Sequence, residues 1–271
     1  MTYLRQSPIR LIIFATTALC FTMYSCSKSS EQPDQTDPYC GLDSMRYLLD
    51  PTGDFITSKF THDDNELITK EVIYKNQQIL VGMEFKYNTQ KKLTSWAYLD
   101  QLGQKTTEFI GIYDSQEKLI AMTPKSYTVG GSSYDTIFFN YGTDLFISRI
   151  VEDGDTTSKI IHYYQNGNRI KTEYIYNGSL DFIDSLEYTN IPFSDRLTND
   201  ALVLVTNTIP SKNHVSRVIT WDVANNKRNS DLSYTYELDS KGRVIKRTTK
   251  GNLPGPPVYP EAVHFYFYGC D

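Results

Sequence analysis

The chain has 271 residues and carries 27 basic and 32 acidic side chains, which gives a formal net charge of −5. An acidic chain repels the phosphate backbone, so this balance disfavours nucleic-acid binding. The length beyond its N-terminal segments is enough for one large β domain.

The N-terminal segment predicts export. Arg5 and Arg10 make a positive start, and the uncharged stretch Leu11–Met23 is shorter than the roughly 20 apolar residues that span a bilayer. These features are typical of a secretory signal peptide. The Met-Tyr-Ser-Cys sequence that ends at Cys26 resembles the lipobox of bacterial lipoproteins, with Met and Tyr in place of the usual residues. We therefore predict a signal peptide over residues 1–25 and lipidation of Cys26.

Two alternatives to lipidation at Cys26 stay open, namely cleavage before Cys20 and an uncleaved anchor helix. The bulky Leu19 disfavours cleavage before Cys20. Residues 26–38 lack apolar side chains other than proline, so we expect a flexible tether there. The predicted partner of this segment is the membrane, reached through the lipid on Cys26. We expect an outer-membrane lipoprotein of the cell envelope that faces either the periplasm or the surface.

Two cysteines remain in the predicted folded domain, residues 39–271, one near each end. In an oxidising compartment Cys40 and Cys270 form a disulfide if their Cα atoms come within roughly 7 Å. The alternative is two separate thiols.

Beyond the tether, alternation with period two dominates and predicts β-strands rich in aromatic and β-branched residues. Polar turns separate the strands, and Asn-Gly at 166–167 and 177–178 predicts tight hairpins. The clearest strand segments are Glu71–Tyr74, Gly82–Tyr87, Ser233–Leu238 and Val263–Tyr268.

The turns repeat along the chain. The segment Tyr87–Leu93 aligns with Tyr113–Leu119 and Tyr164–Ile170, and Tyr236–Val244 fits with a small insertion. Because one hairpin buries little surface alone, neighbouring hairpins must pair edge to edge. The predicted fold class is all-β, an antiparallel meander of repeated hairpins in a large twisted or curled sheet. Whether that sheet closes into a barrel stays open.

One region, residues 191–229, breaks this rhythm. It contains an apolar run at Ala201–Val205, a turn at 210–213 and a strand-like segment at Val215–Trp221. We expect a short helix here that covers one face of the sheet.

Several motifs resemble a family of Bacteroidota lipoproteins of unknown function with hairpins like those of YD repeats. They are Tyr-x-Tyr-x-x-Asp-x-x-Gly-Arg-Val at 234–244, Tyr-Thr-Asn-Ile-Pro at 188–192 and Ser-Lys-Asn at 211–213. The resemblance is best over Tyr164–Lys250. It implies an all-β fold and placement in the cell envelope, and it brings no activity and no site residues.

The sequence contains no catalytic motif and no motif for a cofactor, so we do not expect an enzyme. The four histidines are not at metal-ligand spacing, and we interpret them as surface or cross-strand residues: His62, His162, His214 and His264. The acidic segments 62–66 and 152–155 offer oxygen ligands for calcium but lack the full loop spacing. We interpret both as solvated turns and expect no metal site.

Three functions stay open. The first is a non-catalytic binding or scaffold domain in the envelope. The second is capture of a glycan or peptide ligand on an aromatic platform that includes Trp96 and Trp221, although sheet packing also explains these aromatic residues. The third is a hydrolase whose carboxylates are dispersed along the sequence.

Overall fold

The computed structural model describes residues 41–48, 55–127, 135–152, 155–193, 210–251 and 261–269. These residues form β-strands joined by turns. The strands are β1 (Leu42–Leu48), β2 (Phe55–His62), β3 (Ile68–Lys75), β4 (Gln78–Tyr87), β5 (Leu93–Leu99), β6 (Lys105–Tyr113), β7 (Leu119–Ser126), β8 (Thr136–Tyr141), β9 (Leu145–Glu152), β10 (Asp155–Gln165), β11 (Asn168–Tyr176), β12 (Ser179–Pro192), β13 (Asn213–Asp222), β14 (Lys227–Leu238), β15 (Val244–Gly251) and β16 (Glu261–Tyr268).

The sixteen strands close into one antiparallel barrel. Each strand pairs with its neighbours in sequence, and β1 also pairs with β16, with Leu42 opposite Tyr268 and Tyr47 opposite His264. The expectation of an open twisted or curled sheet under a covering helix is therefore wrong. Closure leaves no strand edge exposed, which an open meander cannot achieve. The all-β class and the sequential antiparallel hairpins agree with the prediction.

The covering helix was expected between residues 191 and 229. In the described part of this region, β12 continues to Pro192 and β13 begins at Asn213, and no helix occurs. The apolar run at 201–205 lies outside the described residues, as do the predicted signal peptide and tether. No helix in the described segments is long and apolar enough to cross a membrane.

The two faces of the barrel wall differ sharply. One inward row across three strands joins Phe60, Glu71 and Met83, which are all buried. The neighbouring outward pair, Lys70 and Glu84, is charged. Side chains alternate between these faces along each strand. The buried cluster therefore lies inside the barrel, and its outside carries charged side chains together with exposed apolar ones such as Ile110 and Phe267.

A five-residue turn recurs around the barrel. The first residue is Asp or Asn, and one of its side-chain oxygens accepts hydrogen bonds from the backbone N–H groups two and four positions later. The fourth residue has positive φ, from 60° at Glu117 to 78° at Gly242. The five first residues are Asp63, Asn88, Asp100, Asp114 and Asp239.

Four of these turns and the chain ends of β1 and β16 lie at one end of the barrel, which we call the turn end. Five of the strands that start there begin with a deeply buried aliphatic residue: Leu42, Ile68, Leu93, Leu119 and Val244. A register shift beside each of these residues turns it inward. Such bulges increase local twist, which helps a long meander to close.

Candidate binding site in the barrel interior

The outer face carries a lattice of ion pairs. On β4 to β6, Lys105 Nζ lies 2.7 Å from Glu84 Oε2, and Lys86 Nζ lies 3.7 Å from Glu108 Oε1. The hydroxyl of Tyr127 donates to Glu108 Oε2 at 2.6 Å, and this bond is the largest influence that lowers the pKa of Glu108. Glu84 and Glu108 lie within their strands, where a lipid-facing wall would be apolar, whereas Lys105 begins β6 and Lys86 is the penultimate residue of β4.

The same pattern continues on the opposite side of the barrel. Arg217 on β13 makes a bidentate pair with Asp231 on β14, with distances of 2.9 and 2.8 Å. Beyond it, Lys246 pairs with Glu237 at 2.7 Å. The Arg217–Asp231 pair lies at mid-strand, and charged pairs on both sides of the barrel suit a wall in contact with water.

Half of the interior is apolar. On β5 and β6 the indole of Trp96 stacks on Phe109, with ring centroids 4.6 Å apart, and Tyr98 meets Trp96 edge-on. On β8 and β9, Phe139 and Phe146 stack at 5.8 Å. These rings pack against the aliphatic residues of the turn end to form the core.

One carboxylate interrupts this apolar half. Glu71 on β3 is 1% exposed, and its Oε2 has no hydrogen-bond partner among the described residues. Burial raises the pKa of Glu71 to about 7, and the nearby Ser58 hydroxyl acts in the opposite direction. Glu71 is therefore a buried acid that is largely protonated below neutral pH.

The other half of the interior, on β10 to β16, is polar. Asp184 on β12 accepts a hydrogen bond from Tyr174 Oη at 2.8 Å and another from Thr220 Oγ1 at 2.7 Å. Burial raises the pKa of Asp184, while these two bonds and the charge of Arg169 lower it. Asp184, Tyr174 and Thr220 are only half-buried. Barrels of sixteen strands can be wide enough to hold water inside, and these side chains lie on the inner face of this one.

A second polar group lies on β14 to β16 and centres on Arg247. The guanidinium Nη2 lies 3.1 Å from His264 Nε2, and the guanidinium carbon lies 5.5 Å from the ring centre of Tyr234. The His264 ring stacks on Tyr47 at 5.2 Å. Burial and the Arg247 charge hold the pKa of His264 well below its usual value and lower the pKa of His214 to about 4.

The four histidines, interpreted from the sequence as surface or cross-strand residues, fall into two groups. His62 ends β2, whereas the other three are buried side chains of the barrel. His162 stacks on Phe146 and bonds Thr172 at 3.0 Å, and His214 packs between Phe193 and Tyr236. These contacts match the cross-strand interpretation of His162 and His264.

The structure does not bring Trp96 and Trp221 together. Trp96 is 5% exposed in the core, whereas Trp221 is 40% exposed on the outer face of β13, 5.8 Å below the guanidinium of Arg228. A platform shared by the two indoles is therefore not formed. Trp221 alone keeps an accessible ring.

The remaining predicted sites divide between described and undescribed residues. Cys26, Cys40 and Cys270 lie outside the described residues. The acidic segment 62–66 is one of the recurring turns, in which Asp63 Oδ1 accepts the N–H groups of Asn65 and Leu67. In the described residues, no group of three or more His, Cys, Asp or Glu side chains is placed to hold a metal ion.

Sequence reasoning missed the interior carboxylates and arginines. Asp184, Glu71, Arg169 and Arg247 lie in strands whose patterns resemble ordinary polar strand residues. Besides burial, the groups that shift the pKa of Asp184 are Thr220, Tyr174 and Arg169. Glu71 is not among these groups. The interior thus carries separate ionisable side chains in both its apolar half and its polar half.

No family model matches the chain, and no curated protein matches it either. Among solved structures it is similar to porin-like proteins from Bacteroides uniformis (13% identity, TM-score 0.42, 84% of this chain and 97% of that chain) and Bacteroides vulgatus (12%, 0.44, 84% and 98%). It is also similar to a TcdB2-TccC3-Cdc42 complex (10% identity, TM-score 0.30, 83% of this chain and 15% of that chain). At these scores the similarity carries no argument about function. No family model supports the resemblance to the lipoprotein family.

Proposed function

We propose that the chain is a non-catalytic binding domain of the cell envelope, a closed barrel that stands in water and is held to the membrane by a lipid on Cys26. The observation that carries the proposal is the ion-pair lattice of the outer face, from Lys105–Glu84 on β6 and β4 to Arg217–Asp231 on β13 and β14. Moving such groups into hydrocarbon is costly, so the barrel wall itself does not serve as the anchor.

The interior supports a binding role. Its polar half contains hydroxyl, carboxylate and guanidinium groups from Thr220, Asp184 and Arg247, of which Thr220 and Asp184 are only half-buried. Ligand sites of this kind combine an apolar wall with a few fixed polar groups. The apolar wall here is the aromatic cluster on β5, β6, β8 and β9.

The role of the anchor is tested by replacing residues 1–26 with a signal peptide that leaves no lipidated cysteine. We expect this variant to fold and to appear in the aqueous fraction of the envelope, whereas the native chain sediments with membranes. A barrel that still fractionates with the outer membrane would contradict the proposal. In the native chain, Cys26→Ser is expected to abolish fatty-acid labelling, and the matched control Cys20→Ser is expected to keep it.

A further inference from the structure

Arg247 is a buried cation on the inner face of β15. Its residue is 5% exposed, and its Nε atom has no hydrogen-bond partner in the described part of the chain. Within the part of the chain that the structure describes, the only polar atoms at hydrogen-bond distance from its guanidinium are the ring nitrogens of His264, at 3.1 and 3.3 Å. Because one imidazole supplies at most one acceptor, several of the five guanidinium N–H donors remain for another partner.

Arg247 forms no ion pair among the described residues, although the charge of Asp184 also acts on Tyr234, a ring neighbour of Arg247. The titratable groups on which its charge acts are two histidines and three tyrosines: His214, His264, Tyr234, Tyr236 and Tyr266. These groups are neutral near pH 7, and burial reinforces that state. An arginine keeps its charge in proteins, and a buried charge without a counter-ion is strongly unfavourable.

Other arginines of the barrel show the contrast. Arg217 and Arg228 both bind Asp231 at 2.8 Å on the outer face. Arg243, which is also buried, pairs with Asp239 in its own turn. Arg247 is buried like Arg243 but has no such carboxylate.

The geometry points to a site at Arg247 for the oxyanion group of a small ligand, which would enter the barrel interior and take the remaining guanidinium donors. The planar fork of the guanidinium matches a carboxylate, sulfate or phosphate group. The ring of Tyr234 lies beside the guanidinium and offers flat apolar contact, and the ring of Tyr47 stacks on the neighbouring His264. Tyr234 is only half-buried. This inference rests on the proposed binding function and names the ligand class.

The test measures thermal unfolding of the lipid-free domain in sodium sulfate, sodium phosphate and sodium glucuronate, each against sodium chloride at equal ionic strength. Glucose serves as the neutral counterpart of glucuronate. We expect a saturable rise in Tm with at least one oxyanion and none with glucose. Sulfate and phosphate also stabilise proteins by general exclusion, so the variants decide what is specific.

Arg247→Met is expected to remove the saturable component. The matched control Arg46→Met, on the outer face of β1, is expected to keep it. Arg247→Lys retains a charge without the planar fork, so we expect affinity about tenfold lower or worse. This variant also covers the case in which Arg247→Met fails to fold.

Equal saturable responses in the parent, Arg247→Met and Arg247→Lys would overturn the inference, as would a parent that shows no saturable response to any oxyanion. Neither result changes the membrane fractionation, which does not depend on Arg247. Failure of the anion site is therefore distinguishable from failure of the proposed function.

Discussion

The hydroxyl of Tyr236, near the end of β14, donates a hydrogen bond of 2.7 Å to the backbone carbonyl oxygen of Val215, near the start of β13. The same bond joins the ends of four other hairpins at the turn end: Tyr87 to Ile68, Tyr113 to Leu93, Tyr188 to Arg169 and Tyr268 to Val244. Each tyrosine thus links the end of its own strand to the start of the preceding strand.

Removing one of these bonds should weaken the barrel measurably. Tyr236→Phe leaves the ring in place and deprives the Val215 carbonyl of its donor, so we expect a loss of about 1 kcal/mol in the free energy of unfolding. Denaturant titration of the lipid-free domain measures it. The control Tyr163→Phe removes an outward hydroxyl that bonds Glu173 at 2.9 Å, and it should cost less because water replaces that bond. Equal losses would contradict the account.

The recurring turn predicts that glycine at its fourth position is stabilising. Lys91 occupies that position with φ of 64°, where an L-residue with a side chain is strained. We expect Lys91→Gly to raise the free energy of unfolding by about 0.5–1 kcal/mol after the entropic cost of glycine. The reciprocal variant Gly242→Lys, at φ of 78°, should lower it by a similar amount. If both variants destabilise the domain, the shared turn geometry is not the controlling factor.

Glu71 should make stability depend on pH. Burial raises its pKa from 4.5 to about 7, so the folded state holds a proton that the unfolded state releases. Its contribution is most favourable below pH 4.5, declines as the pH rises towards 7 and is constant above that. Glu71→Gln removes this dependence and should stabilise the domain at pH 8 by up to about 3 kcal/mol, with little effect near pH 4.

The control for Glu71 is Glu84→Gln on the outer face, which loses its pair with Lys105 and should not stabilise the domain at any pH. Denaturant titrations at pH 4, 6 and 8 give the comparison. A Glu71→Gln effect of the same size at pH 4 and pH 8 would mean that the carboxyl group does not titrate in this range.

The local features of the fold were predictable from the sequence. The Asx turns at Asn88, Asp114 and Asp239 follow from short polar side chains that bond the backbone two and four residues on, and they lie where the repeated segments were aligned. The Asn-Gly pairs at 166–167 and 177–178 adopt the positive φ values that such hairpins require.

Closure was not predictable, because it depends on the pairing of Leu42 with Tyr268 at opposite ends of the sequence. Nothing in either segment distinguishes a closing strand from an exposed edge. The site was missed for the same reason. Arg247 and Thr249 alternate with Lys246 and Lys250, so both faces of β15 are polar in the sequence, and only the closed barrel shows which face is buried.

Trp221 lies on the outer wall of the barrel, so its fluorescence reports directly on whether water or lipid contacts that wall. We predict that water does. In Trp96→Phe, a substitution that removes an indole N–H without a described partner, Trp221 is the remaining tryptophan. The lipidated variant in vesicles should have its fluorescence quenched by aqueous iodide and left unchanged by brominated lipid chains. Strong quenching by the brominated lipid with protection from iodide would contradict the account.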